Sequence, residues 1–482
     1  MTNSFVWSWL TVALVTALVL SLYELYRKRE KRGGVRGARV PRGSNGWPFI
    51  GESLDFISCA LSSKPESFVD KRRILYGKVF KTHLFGAHTI LSSDVEVSRF
   101  ILHSDAKTFV PDYPSSLMEL MGKSSILVCN GDLQRRVHGL VGYFLKSGQL
   151  RDQVTSDLVR RMDGAMKDWK DGEVVLIQDQ AKSILFPILV KALIGLEPGN
   201  DMHFIRYQFQ EFVAGLISFP IKLPGSQLQR SLQAKKRIAA IIKRILQKKR
   251  NNIKGRIPRD AIDVLISDNN DELTDELISD NMVDFMIPAE DSVPVLITLV
   301  IKYLSECPRA LHQLEDENMK LKNRKLMLGE NLSWTDYLSL SFTQDVISES
   351  LRMGNVIVST WRKAVRDVEI KGLLIPKGWR VISYLRFMHL AEENYKDPYE
   401  FNPWRWREND INRCSFMPFG AGQRLCPGMD LARLEAAIFL HHLVTNFTWV
   451  AEEDQVVNFP TVRMKGGMPI RAIRKKQAVQ MQ

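Results

Sequence analysis

Cysteine is scarce in this chain. Its 482 residues hold five, Cys59, Cys129, Cys307, Cys414 and Cys426, with neither a CxxC motif nor paired spacing. That excludes a disulfide scaffold and indicates a reducing compartment. The odd count leaves one cysteine free for a special task. No complete dinucleotide fingerprint occurs either. Gly420-Ala421-Gly422 has no glycine at the third required position, and no strand with a downstream ribose-binding acid is evident. A flavin or nicotinamide held by this chain itself is therefore not expected. Internal repeats are absent, and 45% apolar against 25% charged residues give a globular body with an ample core. At this length one large fold or up to three domains are open.

Acidic residues are missing where basic ones gather. Residues 27–42 carry eight basic residues and one acid, Glu30, and residues 230–259 carry twelve basic residues and no acid. Outside these blocks the chain is net −6, against +13 in total. A nucleic-acid binder more often carries its excess on a folded core interleaved with aromatics. Here one block follows an apolar run, so a membrane is expected and nucleic acid is not. Residues 2–23 contain no charge. About 20 such residues in a helix cross the hydrocarbon core. Arg27, Lys28, Arg29, Lys31 and Arg32 follow at once, which keeps the remainder cytosolic. A cleaved signal peptide fits poorly, because no basic residue precedes the run and no small-residue cleavage site follows it. The expected order is an anchor over 1–26, a basic linker over 27–40, a body over 41–475 and a tail over 476–482.

Pro41, Gly43, Gly46, Pro48 and Gly51 punctuate a stiff strap at the start of the body. Beyond it, helical periodicity dominates, for example over 231–254 and 277–306, and short β-like runs occur over 79–91 and 368–381. The fold class is mainly α with small β-sheets. Pro220 and Pro224 interrupt the apolar residues 212–225, just ahead of the second basic block. Core packing and a loop dipping into the membrane both fit that stretch.

The strongest chemical signal is Phe419-Gly420-Ala421-Gly422-Gln423-Arg424-Leu425-Cys426-Pro427-Gly428. It is a glycine-rich loop that presents a cysteine just before a helical pattern through Leu431, Leu434 and Ile438. Backbone N–H groups and the positive end of a helix favour a thiolate there. Arg424 could pair with an anionic group of a cofactor. From the loop alone, a buried inert cysteine is the alternative.

As Phe-x-x-Gly-x-Arg-x-Cys-x-Gly, this segment resembles the haem-binding loop of the cytochromes P-450. The resemblance implies haem b as cofactor, with Cys426 as axial ligand of the iron, Phe419 in the cofactor-binding loop and Arg424 on a haem propionate. Glu349-Ser350-Leu351-Arg352 matches the family's Glu-x-x-Arg helix. Phe401-Asn402-Pro403-Trp404-Arg405-Trp406 resembles the segment whose arginine joins that pair, which implies a structural triad of Glu349, Arg352 and Arg405. Arg362 matches a propionate-binding arginine. Asp291 and Ser292, in Ile287-Pro288-Ala289-Glu290-Asp291-Ser292, match the acid–alcohol pair that relays protons through water during oxygen cleavage. Pro288 opens a groove in that helix, and Ala289, where the family has glycine, narrows it. Where the family has Trp-x-x-x-Arg, this chain has Gln134 and His138. Arg135 is the candidate propionate contact from that helix, with a partner-facing role as its alternative.

The resemblance runs over about residues 41–470. Segments 109–127, 231–238, 336–356 and 459–465 are similar to plant brassinosteroid-biosynthetic members, and together to the subgroup that hydroxylates carbon 23 of the side chain. This implies a cytochrome P-450 fold preceded by one N-terminal transmembrane helix, single-pass in the endoplasmic reticulum membrane with a cytosolic catalytic domain. Electrons would come from NADPH through a separate cytochrome P-450 reductase, met by basic residues such as Arg135, Arg136 and Arg413. Tyr113, Leu117, Leu120, Met121 and Val356 are the expected contacts of a sterol substrate. Two alternatives remain open. An isomerase or dehydratase of an oxygenated lipid is disfavoured by Asp291 and Ser292, since that chemistry needs no proton relay. A non-catalytic membrane haem sensor is disfavoured by the full set of motifs.

Overall fold

The computed structural model describes residues 38–48, 50–216, 218, 221–251, 258–268, 272–408, 413–459 and 461–476. The expected anchor, most of the basic linker, nearly all of the tail and parts of the 212–225 stretch lie outside them. Among the described residues no helix is long and apolar enough to cross a membrane.

Helices build the body, as periodicity predicts. Ile177–Ile194 is buried nearly all round, and Ser292–Glu306 buries an unbroken run from Val293 to Ile301. An all-round apolar helix belongs inside, and both lie in the largest core cluster, with Met429–Asn446 and Ser341–Gly354. The pattern over 277–306 resolves into two helices, Asp275–Glu290 and Ser292–Glu306, with Asp291 off helical geometry between them at φ −122°, ψ −69°. Pro288 has no N–H for the Asp284 carbonyl, which weakens the ladder one turn before the break.

The second basic block is an amphipathic helix, Gln227–Arg250, capped by the Ser226 side chain. Its apolar face, including Leu228, Ile238, Ile242 and Leu246, is buried. Lys243 and Arg250 reach Glu276 and Asp275 at 2.6 and 2.8 Å, and Lys235 reaches Asp280 at 3.2 Å. Lys249 pairs with Asp260 and Asp263. These four of the block's twelve basic residues are thus paired with carboxylates of the chain itself.

Strands Val79–Leu84 (β1), Ala87–Ser92 (β2), Phe109–Pro111 (β3), Ser359–Ala364 (β4) and Arg380–Tyr384 (β5) form one sheet in the order β1-β2-β5-β4-β3. Phe85 and Gly86, both at positive φ, make the β1–β2 turn. Arg362 stands on β4, opposite Pro111 of the edge strand β3.

Candidate active site

A cavity of about 360 Å³ opens where the Cys426 loop, β4 and the helices Gly131–Leu145, Asp275–Glu290 and Ser292–Glu306 meet. Cys426, Phe419, Arg424, Arg362, Ser292, Tyr113 and Val356 all border it. The loop is held by its own backbone: Cys426 N–H donates to the Phe419 carbonyl at 3.0 Å, and Gly420 N–H to that of Met417 at 3.0 Å. Gly422 has φ +67°, and a Cβ there would lie 2.3 Å from the Leu102 carbonyl oxygen, so only glycine lets the loop approach Val95–His103. Burial pushes the Cys426 thiol up, and the Gly428 N–H only partly opposes this. The helix end expected to favour the thiolate is therefore outweighed, and an anionic sulfur here needs a cation against it.

Arg362, Arg424 and Gln134 border both the cavity and a small polar corner beside it, which Asn130 and Gln423 complete. Arg424 donates to the Ile126 carbonyl and to Asn130 Oδ1, each at 2.9 Å, and also to the Cys129 carbonyl. Arg362 donates to its neighbour's carbonyl, that of Trp361, at 2.9 Å. Among the described residues neither pairs with a carboxylate. Burial and the like charge of Arg362 bring Arg424 down to about 10. One thiol, two guanidinium groups lacking an acid and a largely apolar wall form the donor set that a flat iron chelate with two carboxylates requires. The site fits haem.

Arg135 is not brought to this corner. It points outward and pairs with Asp132, while Gln134 and His138, four residues apart on one helical face, border the cavity. His138 Nε2 lies 2.7 Å from the Leu425 carbonyl, so this position supports the loop. Arg136 is likewise engaged, with Asp268.

Ser292 faces the cavity, and Asp291 sits behind it at the helix break. Burial raises the Asp291 carboxyl, against the pull of Lys182 and Arg463. Of the expected substrate contacts, Tyr113 and Val356 border the cavity. Leu120 and Met121 are buried in the core, and Leu117 packs against it. Ile126, Leu127, Phe285, Val293, Leu296 and Ile357 supply the apolar wall instead.

The Glu349, Arg352 and Arg405 cluster forms as expected. Glu349 accepts from Arg352 at 2.8 and 3.0 Å, from Arg405 at 2.9 Å and from the Trp406 indole at 3.1 Å. Arg352 then bonds the His389 and Pro398 carbonyls, at 2.8 and 2.7 Å. His389 continues the path: its Nδ1 lies 2.7 Å from Asn355 Oδ1, and its Nε2 accepts from the Met417 N–H at 3.1 Å. Met417 supports Gly420, so the cluster is wired to the loop presenting Cys426. Burial and Arg352 bring His389 down to about 3, leaving it neutral. Sequence reasoning missed His389, whose signal is one histidine within the apolar Phe387-Met388-His389-Leu390. It also missed two buried carboxyls on the cavity wall, Asp284 and Glu435, which burial raises to about 7 and about 8.

The family described as Cytochrome P-450 matches residues 41–473. The chain is 63% identical over 478 residues to cytochrome P-450 90D2 of Brachypodium distachyon, covering 97% of this chain and 94% of that one. It is 55% identical over 439 residues to the 3-epi-6-deoxocathasterone 23-monooxygenase of Arabidopsis thaliana, covering 90% and 89%. Among solved structures, the retinoic acid-bound cyanobacterial CYP120A1 matches with a TM-score of 0.80 at 22% identity, over 91% of this chain and 100% of that chain. That last likeness shows the fold alone.

Proposed function

Because the chain belongs to the cytochrome P-450 family, we propose that it is an NADPH- and dioxygen-dependent steroid hydroxylase acting on carbon 23 of a brassinosteroid precursor. The observation that carries this reading is the 55% identity to a 3-epi-6-deoxocathasterone 23-monooxygenase, extending over nine-tenths of the chain. The family implies haem iron. Cys426 would hold the iron, Arg362 and Arg424 the two carboxylates, and Phe419 would border the ring. Bound there, haem supplies the oxygen-activating chemistry that places one oxygen atom in a C–H bond.

The side chains set the conditions for that step. Phe285, Val293, Leu296 and Ile357 exclude water and hold a hydrocarbon nucleus, gaining about 25 cal/mol per Å² of apolar surface buried. Ser292 Oγ, facing the cavity, passes a proton inward. Asp291, its carboxyl raised by burial, resupplies it. The Glu349 cluster, through His389 and Met417, fixes the Cys426 loop. Electrons would reach the site from NADPH through a separate reductase. Residues 1–26 would tether the body to the cytosolic face of the endoplasmic reticulum.

The test is reconstitution with reductase and NADPH on campestane sterols with and without a 22-hydroxyl, with products identified by mass spectrometry. The expected product carries a new hydroxyl at carbon 23. Oxidation only at carbon 22, or fatty acids oxidised in preference to sterols, contradicts the assignment.

A further inference from the structure

The wall of the cavity carries two carboxyl groups, Asp284 and Glu435, that the chemistry above leaves unused. Asp284 stands one helical turn before Pro288 and two before Ser292, and all three border the cavity. Asp284 and Pro288, spaced by four, share one face of Asp275–Glu290, and Ser292 opens the next helix across the break at Asp291. Asp284 is 5% exposed, and among the described residues neither of its carboxyl oxygens meets a partner at full hydrogen-bond geometry.

The polar groups around Asp284 are committed elsewhere. Asn281 pins the neighbouring loop, accepting from the Ile126 N–H at 2.7 Å and donating to the Ser124 carbonyl at 3.0 Å. Lys235 is held by Asp280 and by the Met121 carbonyl. Lys235 attracts the Asp284 carboxyl and the Ser125 hydroxyl acts on it as a side-chain donor, yet burial outweighs both, and neither carboxyl oxygen meets a donor of the described residues at full hydrogen-bond geometry. A buried carboxyl left this way carries an unfavourable free energy that a bound partner relieves.

We propose that Asp284 hydrogen-bonds a hydroxyl already present on the steroid, and so selects an oxygenated substrate. This rests on the steroid reading above. A bare hydrocarbon would seal Asp284 against Phe285, Leu296 and Ile126 with no partner. A hydroxyl both donates and accepts, so it satisfies the carboxyl whether or not it is protonated. Sites built around such a bond reject an analogue lacking the hydroxyl far more strongly than apolar walls reject by size. The hydroxyl belongs either to the ring nucleus or to the side chain beside the oxidised carbon.

The experiment titrates haem-loaded protein with three campestane steroids and follows the substrate-induced Soret shift. One steroid carries both hydroxyls, one lacks the ring hydroxyl and one lacks the side-chain hydroxyl. Asp284→Leu should weaken the doubly hydroxylated steroid by about tenfold or more. It should leave the affinity of one analogue unchanged, and that analogue identifies the hydroxyl. Equal weakening of all three, as loss of packing would give, overturns the proposal, as does no weakening at all. If Asp284→Leu fails to load haem, Asp284→Ala carries the same comparison with the same expected and contrary results. Wild-type protein that binds none of the three overturns the steroid reading itself, and this inference with it.

Discussion

A thiol buried as Cys426 is has its pKa pushed up, so its anion persists only with a cation against it. Cys426→Ser should therefore abolish the red-shifted, thiolate-type Soret band of the reduced, carbon monoxide-bound protein; a mutant retaining that band contradicts the ligand assignment. Ser292→Ala or Asp291→Asn should slow product formation by about 10²-fold while raising peroxide released per NADPH consumed. Unchanged rate and coupling in both would place the relay elsewhere. Cys426, Arg424, Arg362 and Ser292 are legible in the sequence because fixed spacing with special residue types leaves few other uses for them. Leu117, Leu120 and Met121 are not separable from true lining residues, since an apolar side chain looks the same filling a core or facing a cavity. Arg135 misleads by one helical position, about 100° of rotation. Asp284 gives no sequence signal because its meaning lies in what fails to contact it.

Elements, rather than single residues, fix the Cys426 loop. Helix Ser341–Gly354 supplies Glu349, Arg352 and, after its end, Asn355 in the left-handed region at φ 48°. The cluster itself follows from motif spacing. Its extension through His389 does not, because it depends on tertiary contact between segments far apart in the chain. His389 is neutral in the folded protein, while the unfolded chain takes up a proton below about pH 6.5. Its contribution to stability is thus complete above that pH and is lost as pH falls toward 3. Between pH 7.5 and 5.5 the loss is about 1.4 kcal/mol for this one histidine. Buried His441 adds a shift of the same sign, and Asp284 and Glu435 act oppositely. Comparison with His389→Gln cancels these shared contributions. Denaturant unfolding at the two pH values should show the variant losing less stability than wild type; equal losses contradict the role given to His389.

At the scale of the whole molecule, mainly helical architecture with small sheets is readable from periodicity. The break at Asp291 is half-readable, from Pro288. The fate of the second basic block is not, because charge runs do not reveal their partners. With Lys235, Lys243, Lys249 and Arg250 paired inside the chain, apolar surface is the stronger candidate for a membrane contact beyond the proposed anchor. Trp47, Leu54 and Leu223, at 78%, 67% and 67% exposure, are such surfaces. Protein lacking residues 1–26 should remain partly bound to phospholipid vesicles, and high salt should not release it, since salt screens charge and strengthens apolar burial. Complete release at low salt contradicts a second contact. The monooxygenase assignment as a whole meets its most direct test in reconstituted turnover under isotopically heavy dioxygen. The account predicts one heavy oxygen atom per product molecule, at carbon 23 of the steroid. A product formed with no heavy oxygen, as an isomerase or dehydratase would give, contradicts it.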